Sequence, residues 1–242
     1  MGGPVTGGWH GSALAGFDLE TTGPDPETAR IVTASVAWRG TPGDGGRDWT
    51  VNPGVEIPAE ATAVHGITTE FAREFGADPA VAVAEICGRL AQAMAERWPL
   101  VIFNAPYDLT VLDRETHRLG LAPFCETFCQ NTGCVVDPLV LDKHLDRYRP
   151  GKRTLTAACA HYGVRHDGAH ASAEDAVAAM RVAWKIGRLY PGIAEMPAAE
   201  LHELQVRAKA EQSASFQSYL RRQGSAEVVD GAWPLRACEV DR

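Results

Sequence analysis

The chain has 242 residues, which at about 150 residues per domain allows one or two domains. Hydrophobic residues make up 45% and charged residues 22%, proportions that exclude a largely disordered protein, and no run approaches the roughly 18 apolar residues needed to cross a bilayer. The net charge of −8 has the wrong sign for a protein that binds nucleic acid over its whole surface, while leaving room for an enzyme with a local groove. The glycine-rich start, Met1 to Ser12, lacks the basic-then-apolar layout of a secretory signal, and the six cysteines read as free thiols, so a cytoplasmic protein is expected.

In chain order, residues 14–20 read as a short buried strand halted by Thr21-Thr22-Gly23-Pro24, and residues 31–38 as a second, β-branched strand. Residues 40–46 form a turn, 48–52 a third strand and 53–58 a loop. Helical spacing of Val81, Ala84, Ile86, Leu90 and Met94 predicts a helix over 80–98. A central strand over 100–103 and a helix over 109–119 follow. Residues 123–133, with three cysteines, read as loop, and 135–137 as a last short strand. Helices are expected over 139–145, 154–161 and 172–190. Three consecutive strands followed by strands alternating with helices predict an α/β domain with a mixed central sheet flanked by helices. It spans 1–190; residues 191–242 form a C-terminal extension with an amphipathic helix over 197–222 and a tail carrying Trp233 and Pro234.

Asp18 and Glu20, two apart on a strand, leave the same face. Two carboxylates there repel unless a cation sits between them, and hard oxygen ligands suit Mg2+ or Mn2+; the alternative is a strand-end pair in water. Asp108 lies just beyond the C-terminal end of the 100–103 strand, where open α/β sheets place ligands, or else is an ordinary helix cap. Ser172 is the expected N-cap of the 172–190 helix, which puts Asp175 in its first turn, where the helix dipole favours an ionised carboxylate. His170 precedes that helix on a glycine-containing loop, free to reach a reacting water or simply solvated.

Together and in order, Phe-Asp-Leu-Glu-Thr-Thr-Gly (17–23), Val-His-Gly-Ile-Thr (64–68), Asn-Ala-Pro-Tyr-Asp (104–108) and His170 with Asp175 five later resemble the DnaQ-like 3′–5′ exonucleases of the histidine-containing DEDD type. The resemblance covers residues 14–190 and implies a ribonuclease H-like fold. It implies Asp18, Glu20, Asp108 and Asp175 as ligands of two Mg2+ or Mn2+ ions, and His170 as general base. It implies Glu60 and His65 as the pair holding the terminal nucleotide, backbone contacts from Leu19 and Thr21, and substrate contacts from Asn104 and Tyr107, the latter an aromatic wall. The activity implied is release of nucleoside 5′-monophosphates from the 3′ end of single-stranded nucleic acid, DNA first, with a DNA polymerase subunit as a possible partner. RNA trimming is the alternative within the same chemistry, and a silent nucleic-acid or polymerase-binding module the alternative of another class. A complete set of four acids and one histidine argues against the silent module.

Two further features read both ways. Lys143, Arg147, Arg149, Lys152 and Arg153 crowd a short segment that either grips phosphates or is a solvated basic loop. Cys125, Cys129 and Cys134 lack a nearby fourth ligand for zinc, His117 being a distant candidate, so free thiols are expected.

Overall fold

The computed structural model describes residues 8–40, 43–131, 134–166 and 171–237. Its five strands are β1 (Leu14–Thr21), β2 (Ile31–Arg39), β3 (Gly45–Thr50), β4 (Leu100–Val101) and β5 (Val135–Val136), in the spatial order β3-β2-β1-β4-β5. β1 to β3 form an antiparallel meander, and β4 and β5 continue the sheet parallel to β1. The mixed sheet flanked by helices is the ribonuclease H-like arrangement that the motifs imply.

Alternation along β1 builds the two layers. Ala15, Phe17 and Leu19 point into one core with Ile86 and Leu90 of α3 (Pro79–Ala95) and Leu109 and Leu112 of α4 (Ala105–Arg118). Leu14, Gly16, Asp18 and Glu20 occupy the other face, under α8 (Ser172–Leu189). Gly16 is the residue that this packing demands: a Cβ there would meet the Ala176 carbonyl oxygen at 2.7 Å and Met180 Cγ at 2.9 Å. The close approach of α8 to β1 therefore depends on a bare Cα two residues before Asp18.

The 123–133 stretch, expected as loop, contains α5 (Phe124–Asn131). Its start is fastened from another helix: Thr116 Oγ1 accepts from the Phe124 N–H at 3.2 Å and Asp113 Oδ1 from the Cys125 N–H at 2.8 Å. Phe124 and Phe128, four apart on one face, enter the core. The 59–75 stretch forms two short helices, α1 (Ala59–His65) and α2 (Thr69–Phe75). Contrary to expectation, Ser172 does not cap α8: the N-cap is Ala171, without a side-chain bond, and the buried Ser172 hydroxyl meets Thr33 Oγ1 at 3.2 Å.

After β5 come α6 (Pro138–Leu145) and α7 (Leu155–Tyr162), and after α8 the short α9 (Pro191–Ala194) and long α10 (Ala198–Arg222). Gln205 of α10 is fully buried; its Nε2 donates to the Val135 carbonyl at 2.9 Å and its Oε1 accepts from the Asp137 N–H at 2.7 Å. The tail then returns along the domain, with Trp233 buried and the Arg236 N–H donating to Thr110 Oγ1 at 2.9 Å. Among the described residues no helix is long and apolar enough to cross a membrane.

Candidate active site

Carboxylate oxygens of Asp18, Glu20 and Asp175 lie within 4.8 Å of one another. The strand period brings the first two together, and the seat of α8 on Gly16 brings the third. Asp108, buried in the first turn of α4, reaches the same strand from its other edge: beyond the end of β4, the Leu19 N–H donates to Asp108 Oδ1 at 3.0 Å. The Leu19 N–H is thereby engaged within the protein.

Electrostatics record the crowding. Burial first, then the carboxylates of Asp108, Asp175 and Glu20, push Asp18 well above the ordinary range. Burial, then Asp175, raises Glu20 to about 7. Burial also raises Asp108 well above its ordinary value, against the bond from Leu19. An all-oxygen set of mutually repelling, half-buried acids fits a hard divalent cation such as Mg2+ or Mn2+.

Around this cluster, the Tyr107 hydroxyl donates to the Gly23 carbonyl at 2.5 Å and bonds Thr21 Oγ1, so ring and strand end are tied together. Burial lifts the Tyr107 phenol to about 12, keeping it protonated. His65 lies against the Thr21 backbone, with Nδ1 accepting from the Ile67 N–H at 3.1 Å, and burial lowers its pKa. Asn104 holds a left-handed conformation (φ 68°, ψ 48°) at the start of α4, a turn that Asn tolerates better than most residues. Glu60 is exposed in the first turn of α1 and makes no ion pair among the described residues. His170 lies outside the described residues.

Sequence reasoning passed over His166. Its buried imidazole Nε2 meets Asp175 Oδ1 at 2.5 Å, and its Nδ1 has no partner. The available signal was a second histidine nine residues before Asp175. The basic segment also differs from a free phosphate grip. Arg149 and Arg153 both pair with the buried Asp142, which also accepts from the Tyr162 hydroxyl at 2.8 Å; these two arginines tie α6 to the loop before α7. The three cysteines do not converge: Cys125 clusters with Asp113 and His117, while Cys134 lies half-buried beside β5, its thiol raised to about 12 by burial.

The family model described as exonuclease matches residues 15–183. A DNA polymerase III subunit epsilon-like protein of Rhodobacter capsulatus is 42% identical over 108 residues, 43% of this chain but only 14% of that protein's length. The DNA polymerase III subunit epsilon of Rickettsia prowazekii is 30% identical over 166 residues, covering 66% of this chain and 67% of that one. E. coli exonuclease I, in its crystal structure with a dT13 oligonucleotide, superposes with a TM-score of 0.63 at 18% identity over 75% of this chain and 43% of the other, a likeness of fold. Because the matched span holds the whole sheet after Leu14 and all four carboxylates, the chain belongs to the exonuclease family, among its DnaQ-like members.

Proposed function

We propose that the chain is a metal-dependent 3′–5′ exonuclease that releases nucleoside 5′-monophosphates from single-stranded DNA. The observation that carries this reading is the convergence of Asp18, Glu20 and Asp175 within 4.8 Å, with Asp108 anchored on the adjoining strand position. The epsilon-like relatives and the dT13 complex of exonuclease I favour DNA over RNA, and the relatives' names support a polymerase subunit as partner.

Phosphodiester hydrolysis needs an in-line nucleophile and neutralisation of the charge that gathers on the phosphate. Two divalent cations, Mg2+ or Mn2+, when bound by Asp18, Glu20, Asp108 and Asp175, supply that neutralisation and acidify water. The protein's own part is to hold four acids in a geometry they would not adopt unaided, and to fix the scissile end. Tyr107, locked through Thr21 and Gly23, offers a rigid wall to the terminal base. His65, pressed on the strand end at Thr21, reaches that nucleotide with Glu60, while Asn104 and the backbone at Leu19 and Thr21 complete the contacts. His170, by its motif spacing from Asp175, takes the proton; an imidazole near its reference pKa of about 6.5 does so close to neutral pH.

The test is digestion of matched 5′-labelled DNA and RNA oligomers with Mg2+ or Mn2+. The expected result is a ladder shortening from the 3′ end of DNA, lost in chelator and in Asp18→Ala. Preferential digestion of RNA would reassign the substrate. Asp18→Ala activity above about a tenth of native would overturn the two-metal assignment.

A further inference from the structure

An acidic protein that draws a polyanion toward four carboxylates needs cations placed beside them, and two of the five expected in the basic segment are occupied. Arg149 and Arg153 are consumed by Asp142. Only four lysines exist in the chain, and two of them, Lys143 in α6 and Lys209 in α10, lie near enough for the Lys209 charge to act on Lys143. Burial, then the Lys209 ammonium, holds Lys143 below its ordinary pKa. Lys209, half-buried on α10, has no ion pair among the described residues.

Lys209 also opens onto a cleft of about 210 Å3. Pro24 and Pro26 from the loop after β1, Asn104 and Tyr107 from the start of α4, and Lys209 and Arg236 from the C-terminal segment line it. The acid on its rim, Asp230, is paired with Arg236 at 3.4 Å. Tyr107 lines the cleft and lies near enough to Asp108 and Glu20 to feel their charges, so the cleft adjoins the carboxylates. An unpaired ammonium, an amide and an aromatic ring in one polar cleft match a phosphate with its flanking nucleoside.

We propose that Lys209 grips a backbone phosphate of the nucleic-acid strand upstream of the 3′-terminal nucleotide, so that the C-terminal segment completes the substrate cleft. This rests on the reading of the chain as an exonuclease acting on a single strand. The segment lies past residue 183, where the exonuclease family match ends, so the contact lies outside the matched domain.

The experiment measures binding of labelled oligothymidylate to the full chain bearing Asp18→Asn, by fluorescence anisotropy over a range of KCl concentrations. Lys209→Glu is expected to weaken binding about tenfold and to lower the slope of log K against log salt by about one phosphate contact, with Lys209→Arg close to native. Lys185→Glu, on α8 away from the cleft, is the charge-matched control and is expected to change little. An unchanged affinity and slope in Lys209→Glu, or an equal loss in Lys185→Glu, overturns the proposal while the exonuclease reading stands. Failure of the Asp18→Asn chain to bind the strand, with no digestion by the native chain, removes that reading and this proposal with it.

Discussion

Glu20→Gln is expected to make the metal-free protein more stable while disabling it. In the fold Glu20 titrates at about 7 against an ordinary 4.5, through burial and then the Asp175 charge. Between those values the folded chain holds a proton that the unfolded chain has released. Stability therefore falls as pH rises through that window, and the penalty is constant above about pH 7. At about 1.4 kcal/mol per tenfold displacement of the acid equilibrium the penalty is at most about 3.5 kcal/mol. The carboxylate is partly exposed, and solvent screening reduces that to about 1–2 kcal/mol. Glutamine keeps the shape and removes the charge, so at pH 8 in chelator its melting temperature is expected about 2–8 °C above native, at 2–4 °C per kcal/mol for a chain of this size. The lead is expected to vanish near pH 4.5, and Mn2+ is expected to raise the native chain more than the variant. Scanning fluorimetry at both pH values, with and without Mn2+, measures all of this. No gain at pH 8, or an equal gain at pH 4.5, would refute the argument that these acids are held against their own repulsion.

His166→Phe keeps a ring but removes the donor to Asp175, and Mn2+ affinity measured by calorimetry is expected to fall about tenfold, the usual cost of losing an outer partner of a metal ligand; native affinity would make His166 a bystander. Asp142→Ala strands Arg149, Arg153 and the Tyr162 hydroxyl, and urea unfolding is expected to show a loss of about 3–5 kcal/mol, far beyond that of a solvated loop acid. Gln205→Leu leaves the buried Asp137 N–H unpaired, at about 1–3 kcal/mol, and the Val135 carbonyl with only the weak Cys134 thiol donor; a loss well under 1 kcal/mol in the same assay would mean that α10 is only loosely attached.

What could be read beforehand is local or periodic. The 14–20 strand, its two carboxylates on one face and the order of the later acids follow from spacing of one or two residues, or from short motifs. What escaped depends on partners distant in sequence. The helix α5 carries no cap in its own sequence because Asp113 and Thr116, on α4, provide it. Arg149 and Arg153 look like free cations until Asp142, seven and eleven residues away, is seen turned inward beneath them. Ser172 has the right chemistry for a cap, yet its hydroxyl is buried toward Thr33, 139 residues earlier. His166 is indistinguishable in sequence from any loop histidine until the fold brings it onto Asp175.

The same distance in sequence governs how Asp108 is held. Asp137, fully buried, accepts at 3.0 Å from both the Asn104 and Ala105 N–H groups, so one carboxylate closes the start of α4 while also capping α6 through Leu139 at 2.9 Å. The left-handed Asn104 costs about 1–2 kcal/mol, and these two charge-assisted bonds offset it. Asp137 is in turn fixed by residues of the C-terminal segment: its N–H by Gln205, and its Oδ2 by Trp233 Nε1 at 3.3 Å. Arg236 adds a bond from its N–H to Thr110, two residues past Asp108 on the same helix. Residues after 183 thus reach α4 in two ways, indirectly through Asp137 and directly from Arg236 to Thr110. The placement of Asp108 against Leu19 therefore draws support from beyond the family match, and truncation at its edge is expected to loosen α4, which Arg114–Glu27 and Arg30–Glu115 still hold, and to lower activity rather than leave it unchanged.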